Sequence, residues 1–240
     1  MTRIDLSNKK ILITGASKGI GAALAKYCIQ MGAQVALHYN SDKKGVQDLL
    51  EVENTNESAI FKANLEQSHE VVTLFKEVEE TFGKIDTIIL NAGIYKEHAI
   101  NSNIEKWLEI WNQTLDINLK AVGILTKLGI EHFREFGGGR IVYIGSRAAF
   151  RGETEEYLAY AASKGGLTSL ARSVARSFGK DNIISFVVSP GFTRTKMADD
   201  FIQKYGEDRV LSEIALNELT KPENLAPLVA LMCSGLMDHA

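Results

Sequence analysis

Lys10-Ile11-Leu12-Ile13-Thr14-Gly15-Ala16-Ser17-Lys18-Gly19-Ile20-Gly21 begins as a short apolar run and breaks into three glycines before a helical pattern starts. An apolar run of this length reads as a buried strand, and the glycines as the turn that feeds it into a helix. Glycine lets the backbone pass close to a ligand, while the first turn of a helix offers free N–H groups to an anion. The spacing, Gly-x3-Gly-x-Gly, differs from the commoner Gly-x-Gly-x-x-Gly of dinucleotide sites. Its weight comes from its place between the first strand and first helix of a βαβ unit, which predicts a dinucleotide.

The rest of the chain repeats that alternation. Residues 10–14, 34–39, 59–63, 86–90, 140–144 and 183–188 read as strands, most of them continuously apolar, as parallel strands buried on both faces are. Helical segments are predicted near 19–31, 43–53, 68–82, 104–135, 155–178 and 222–233. The expected fold is α/β, a Rossmann-like doubly wound parallel sheet with helices on both faces, in one domain over residues 1–240. With 45% hydrophobic and 24% charged residues the composition is that of an ordinary globular protein. A net charge of −3 gives no reason to expect nucleic acid or an anionic membrane as a partner. No leader-like or membrane-spanning apolar run is present, so a cytoplasmic protein is expected. Cys28 and Cys233 read as packed thiols, and the histidines form no cluster at metal-ligand spacing, so no metal is expected.

Chemistry concentrates between residues 146 and 164. Tyr160 and Lys164 stand four apart, which on a helix puts phenol and ammonium on one face, roughly 6 Å apart along the axis. A neighbouring cation favours phenolate, so the pair predicts a tyrosine with a lowered pKa, and Ser146 supplies a hydroxyl to hold a reacting oxygen. Tyr39 and Lys43 have the same spacing but leave a strand for a polar loop, so spacing alone does not select a site. Gly15-Ala16-Ser17-Lys18-Gly19 also fits the nucleophile elbow of α/β-hydrolases. That reading needs a later acid and then a histidine; only His239 is placed for it, and Tyr160, Lys164 and Ser146 would go unused.

The second strand sets the cofactor. An NAD site commonly carries an acid at its tip for the ribose 2′-hydroxyl. Here the strand ends His38-Tyr39-Asn40-Ser41, Asp42 comes late, and Lys18, Lys43 and Lys44 are close in sequence. Neutral acceptors with cations suit a 2′-phosphate, so NADP(H) is expected over NAD(H).

With these residues assembled, the chain resembles the short-chain dehydrogenase/reductase family of the compact, single-domain kind. The likeness runs through Thr14 to Gly21, through Leu90-Asn91-Ala92-Gly93, through Asn118 in Asp116-Ile117-Asn118-Leu119, and through Ser146, Tyr160, Lys164, Pro190, Gly191 and Thr195. The resemblance implies hydride transfer between a nicotinamide and a carbonyl or alcohol carbon, with Tyr160 exchanging the proton and Ser146 orienting the oxygen. It implies that Lys164 tunes the tyrosine and holds the ribose, and that Asn118 supports a water-linked proton path. The cofactor would be held by Gly15, Ser17, Lys18, Gly19, Ile20, Gly21, Asn40, Ser41, Asn64, Leu65, Asn91, Ala92, Gly93, Tyr160, Lys164, Pro190, Gly191, Thr193 and Thr195. Asn64 replaces the family's aspartate at the adenine, Leu90 replaces an asparagine, and the family's seventh strand is expected to be missing from residues 1–240.

Residues 192–215 are expected to form a substrate lid, with Phe192, Met197, Phe201, Ile202 and Tyr205 on its apolar side. Relatives that reduce 3-oxoacyl groups on acyl carrier protein carry two basic docking residues, where this chain aligns Gly137 and Asp181. Glu153, Glu155 and Glu156 either add negative charge to the mouth or cap a helix. A small alcohol, ketone, steroid-like or sugar-like substrate is therefore expected, with the acyl-thioester reductase and a non-catalytic dinucleotide sensor as alternatives. A homodimer or homotetramer is the expected assembly.

Overall fold

Six parallel strands form one sheet, because each run of strand residues carries apolar side chains to both faces and only helices can cover them. They are β1 (Lys10–Ile13), β2 (Gln34–Tyr39), β3 (Ala59–Lys62), β4 (Thr87–Leu90), β5 (Gly139–Ile144) and β6 (Ile183–Val188), in spatial order β3-β2-β1-β4-β5-β6. The computed structural model describes residues 4–53, 55 and 57–239; the side chains of Met197, Asp200, Phe201 and Tyr205 also lie outside the described part. That removes three of the expected apolar lid residues from the description.

The helices are α1 (Gly19–Gln30), α2 (Lys43–Glu53), α3 (Ser68–Phe82), α4 (Ile104–Leu115), α5 (Ala121–Glu135), α6 (Ala148–Arg151), α7 (Leu158–Phe178), α8 (Lys196–Tyr205), α9 (Glu207–Ser212) and α10 (Pro222–Ser234). Strand alternation divides the core into two layers. Leu12, Ile88, Leu90, Ile141 and Tyr143 point to the layer closed by α3, α5 and α7. Ile11, Ile13, Ile89, Val142 and Ile144 point to the layer closed by α1, α2 and α10. A register slip of one residue would exchange the two sets, so the pairing is fixed by burial on both faces. Tyr39 belongs to this second layer and ends a strand, which explains why its spacing to Lys43 carries no helical meaning.

Two differences from the sequence reading matter for the site. The segment 104–135 is not one α-helix: Asp116–Lys120 forms a π-helical turn between α4 and α5. The segment 192–215, expected as a lid and given no helices in the sequence reading, contains α8 and α9 and is tied to the body where Thr193 pairs with Thr220. Among the described residues the sheet has six strands, and no helix is long and apolar enough to cross a membrane.

Candidate active site

Strand order reverses between β1 and β4, and the loops leaving their carboxyl ends part there into a crevice. Thr14 and Asn91 bind the two loops together. The Thr14 hydroxyl accepts from the amides of Asn91 (2.9 Å) and Ala92 (3.0 Å), while the Asn91 side-chain amide donates to the carbonyls of Thr14 (2.9 Å) and Gly15 (3.1 Å). The glycines are needed where they stand. Gly15 has φ of +67°, and a Cβ on Gly21 would fall 2.1 Å from the Gly15 carbonyl oxygen. No side chain caps the start of α1, so its first amides face the crevice.

His38, from β2, steadies this loop. Its Nδ1 accepts from the Gly15 amide at 3.0 Å and its Nε2 lies 3.0 Å from the Ala63 carbonyl, which fixes the neutral Nε2–H tautomer. Burial lowers its pKa to about 4, against a smaller opposing effect of the Ala63 hydrogen bond.

Every residue expected to hold the cofactor lines one continuous cleft. The glycine loop contributes Gly15, Ser17, Lys18, Gly19, Ile20 and Gly21; the ends of β2 and β3 contribute Asn40, Ser41, Asn64 and Leu65. Asn91, Ala92 and Gly93 follow β4, and Pro190, Gly191, Thr193 and Thr195 follow β6. Thr195 also caps α8 through the Ala198 amide (3.4 Å), and a Cβ on Gly19 would touch its methyl at 3.2 Å. An elongated cleft with a tight glycine turn, an open helix N-terminus and amide side chains along its floor fits a dinucleotide. Lys43 and Lys44 lie outside the lining, whereas Asp42 is in it and accepts from the Gly45 amide at 3.1 Å.

At the other end of the cleft stand Ser146, Tyr160 and Lys164. Tyr160 lies in the first turn of α7 and Ser146 follows β5, where its hydroxyl accepts from the Ala148 amide at 3.1 Å. Lys164, one turn further along α7, is buried; it donates to the Ile144 carbonyl at 2.8 Å and lies 5.9 Å from the Tyr160 ring centroid. Burial lowers the Lys164 pKa to about 8. Burial also raises that of Tyr160, with Ser146 lowering it and Glu153 raising it. The lowered tyrosine pKa expected from the sequence is thus corrected: the ammonium is turned to a backbone carbonyl, and burial is the largest influence on the phenol.

Asn118 does not line the cleft but lies fully buried beneath it, in the π turn. Its Oδ1 accepts from the Ile94 amide (2.8 Å), and its Nδ2 donates to the Ile94 carbonyl (2.9 Å) and to Ser163 Oγ (3.2 Å). Ser163 donates in turn to the Tyr160 carbonyl at 2.7 Å. A Cβ on Gly93 would lie 3.3 Å from Asn118 Oδ1 and 3.6 Å from Lys164 Nζ, so all three converge on one point.

Sequence reasoning missed several lining residues. Tyr95 packs edge-on against Tyr160 (4.8 Å) and stacks on Tyr157 (3.8 Å), whose hydroxyl donates to Glu97 at 2.7 Å. Lys204 of α8 reaches the same Glu97 oxygen at 2.6 Å, joining α8 to the aromatic wall. Arg147, directly after Ser146, sits over the Phe192 ring at 4.2 Å. The three glutamates separate: Glu153 lines the cleft, while Glu155 and Glu156 belong to the short 3-10 turn before α7.

A family model described as short chain dehydrogenase matches residues 9–206. The chain belongs to the short-chain dehydrogenase/reductase family. Within that family it is 30% identical over 230 residues to a 3-oxoacyl-[acyl-carrier-protein] reductase of Staphylococcus epidermidis, covering 95% of this chain and 92% of the relative. It is 31% identical over 235 residues to an L-rhamnose 1-dehydrogenase (NAD(P)(+)) of a Sphingomonas species, covering 96% and 91%. A short chain dehydrogenase of Burkholderia cenocepacia, solved in complex with NADP, superposes with a TM-score of 0.85 at 30% identity over 95% of this chain and 91% of that one. This short-chain dehydrogenase/reductase is therefore an oxidoreductase of the NAD(P)-using kind, with the family's Rossmann-like fold.

Proposed function

We propose that the chain moves a hydride between NADP(H) and a carbonyl or alcohol substrate, with Tyr160 as general acid/base. The observation that carries this reading is that Tyr160, Ser146 and Lys164 line the same cleft as the glycine loop, with Lys164 one helical turn from Tyr160 and its Nζ 5.9 Å from the phenol ring centroid. A bound nicotinamide supplies or accepts the hydride. Ser146 positions the substrate oxygen, and Tyr160 gives it a proton in reduction and takes one in oxidation. Lys164, close to neutrality in its proton equilibrium, passes protons on and holds the ribose; Asn118 fixes the backbone around it. NADP(H) is favoured because Asn40, Ser41 and Lys18 line the β2 end while the Asp42 carboxylate is engaged in starting α2. Equal affinity for NADPH and NADH, titrated at moderate salt, would remove that preference.

The test is a panel of aldehydes, ketones, sugars and acyl thioesters with NADPH, and matching alcohols with NADP, run on the parent and on Tyr160→Phe. The variant should lose turnover by several orders of magnitude while its cofactor titration stays within about twofold. Turnover near the parent rate would refute the role of Tyr160. The relative named as a 3-oxoacyl reductase favours a second reading, reduction of acyl-carrier-protein thioesters. Against it, Asp181 is an acid paired with Arg134 at 2.7 Å, and Gly137 offers no charge for an acidic carrier. A homodimer or homotetramer is the assembly we infer, supported by exposed Ile104 and Leu108 on α4 and Leu158 at the start of α7. Light scattering of a monomer at micromolar concentration would exclude it.

A further inference from the structure

Among the described residues two carboxylates line the cleft, Asp42 at the β2 end and Glu153 at the Tyr160 end. Asp42 is accounted for by the start of α2. Glu153 is not. Its side chain is only 10% exposed, yet its nearest cation, Arg151, stands at 3.6 Å, beyond hydrogen-bonding distance. The arginines are committed elsewhere: Arg147 and Arg151 each place a nitrogen 3.0 Å from the same Glu213 oxygen. Burial raises the Glu153 pKa, Arg151, Arg147 and the Thr154 amide oppose that rise, and Glu213 adds to it. Two arginines and two glutamates leave the wall with no net charge, so neither an anionic nor a cationic substrate gains from it. A neutral O–H donor does, because a carboxylate has about four acceptor sites and the Thr154 amide and the distant Arg151 leave Glu153 with some to offer.

We propose that Glu153 is a specificity-determining residue that accepts a substrate hydroxyl, making neutral vicinal diols and the corresponding α-hydroxy ketones the preferred substrates. One oxygen of the pair meets Ser146 and Tyr160; the hydroxyl on the adjacent carbon donates to Glu153. The inference rests on the assignment of Tyr160 and Ser146 as the groups that meet the reacting oxygen.

The experiment compares trans-cyclohexane-1,2-diol with cyclohexanol as NADP-linked substrates, and 2-hydroxycyclohexanone with cyclohexanone as NADPH-linked ones. In the parent, kcat/KM should favour the hydroxylated member of each pair by about 10- to 100-fold, the size of a hydrogen bond to a charged group. Glu153→Leu should cut that ratio at least tenfold, and Glu153→Gln, which keeps shape and one acceptor, should cut it severalfold. A parent ratio near one overturns the proposal, as does a ratio unmoved in both variants while the two rates fall together, the signature of a purely structural side chain. Absence of cofactor-linked turnover with all four compounds in the parent also overturns the proposal; if the wider panel of carbonyl substrates still turns over, the roles of Tyr160 and Ser146 stand, and if that fails too they fall with it.

Discussion

A proton on His38 would break the glycine loop's tie to the sheet, because Nδ1 would no longer accept from the Gly15 amide. With a folded pKa of about 4 against about 6.5 in an unfolded chain, the unfolded state binds the proton first as pH falls. Stability from this histidine is therefore complete above pH ~6.5 and drains away as pH drops toward 4, by about 3 kcal/mol in all. Denaturant titrations at pH 7 and pH 4.5 should show the stability gap between the parent and His38→Asn closing at the lower pH. A gap independent of pH would show that the imidazole carries no such linkage. At this scale the sequence revealed Tyr160, Lys164, Ser146 and the glycines, since their chemistry depends on spacing along the chain. It concealed His38, Tyr95 and Arg147, which reach the cleft by side-chain direction across elements. Glu153 was placed at the mouth but not told apart from Glu155 and Glu156, which the fold puts in a 3-10 turn while Glu153 lines the cleft.

Helix α2 begins against the cofactor loop, and Gly45 is where the two backbones meet. A Cβ there would lie 2.3 Å from the Ser17 carbonyl oxygen, a backbone atom that cannot swing aside. Gly45→Ala should push α2 away from the loop, weakening NADP(H) binding about tenfold or more and lowering stability by about 1–3 kcal/mol. Cofactor titration and thermal melting measure both; unchanged affinity would mean that α2 does not set the loop. The strands and most helix ends were legible because apolar period and flanking glycines mark them. The π turn at Asp116–Lys120 was not, since one additional residue in a helix leaves the apolar pattern on either side intact. Its effect is visible only in three dimensions, where Asn118 turns inward to bind both backbone groups of Ile94.

Across the whole molecule the two core layers differ in how far apart in sequence their helices lie. One is covered by α3, α5 and α7; the other needs α1 and α10, from opposite ends of the fold, packed together with Cys28 and Cys233 both buried between them. The neighbouring Cys233 thiol and burial hold the Cys28 thiol well above its ordinary pKa, so in the folded chain it should resist alkylation at neutral pH. Val229→Asp, which places a charge in the α1–α10 seam, should make Cys28 react at least tenfold faster with a thiol reagent; an unchanged rate would show that α10 is not what shields it. During synthesis the same seam has a history. Leu24, Ala25 and Cys28 leave the ribosome about 200 residues before their cover, which at 5–20 residues per second is roughly 10–40 s. Through that interval the growing chain presents an uncovered apolar stripe, so its window for chaperone capture or misassembly is set by the position of α10 in the gene.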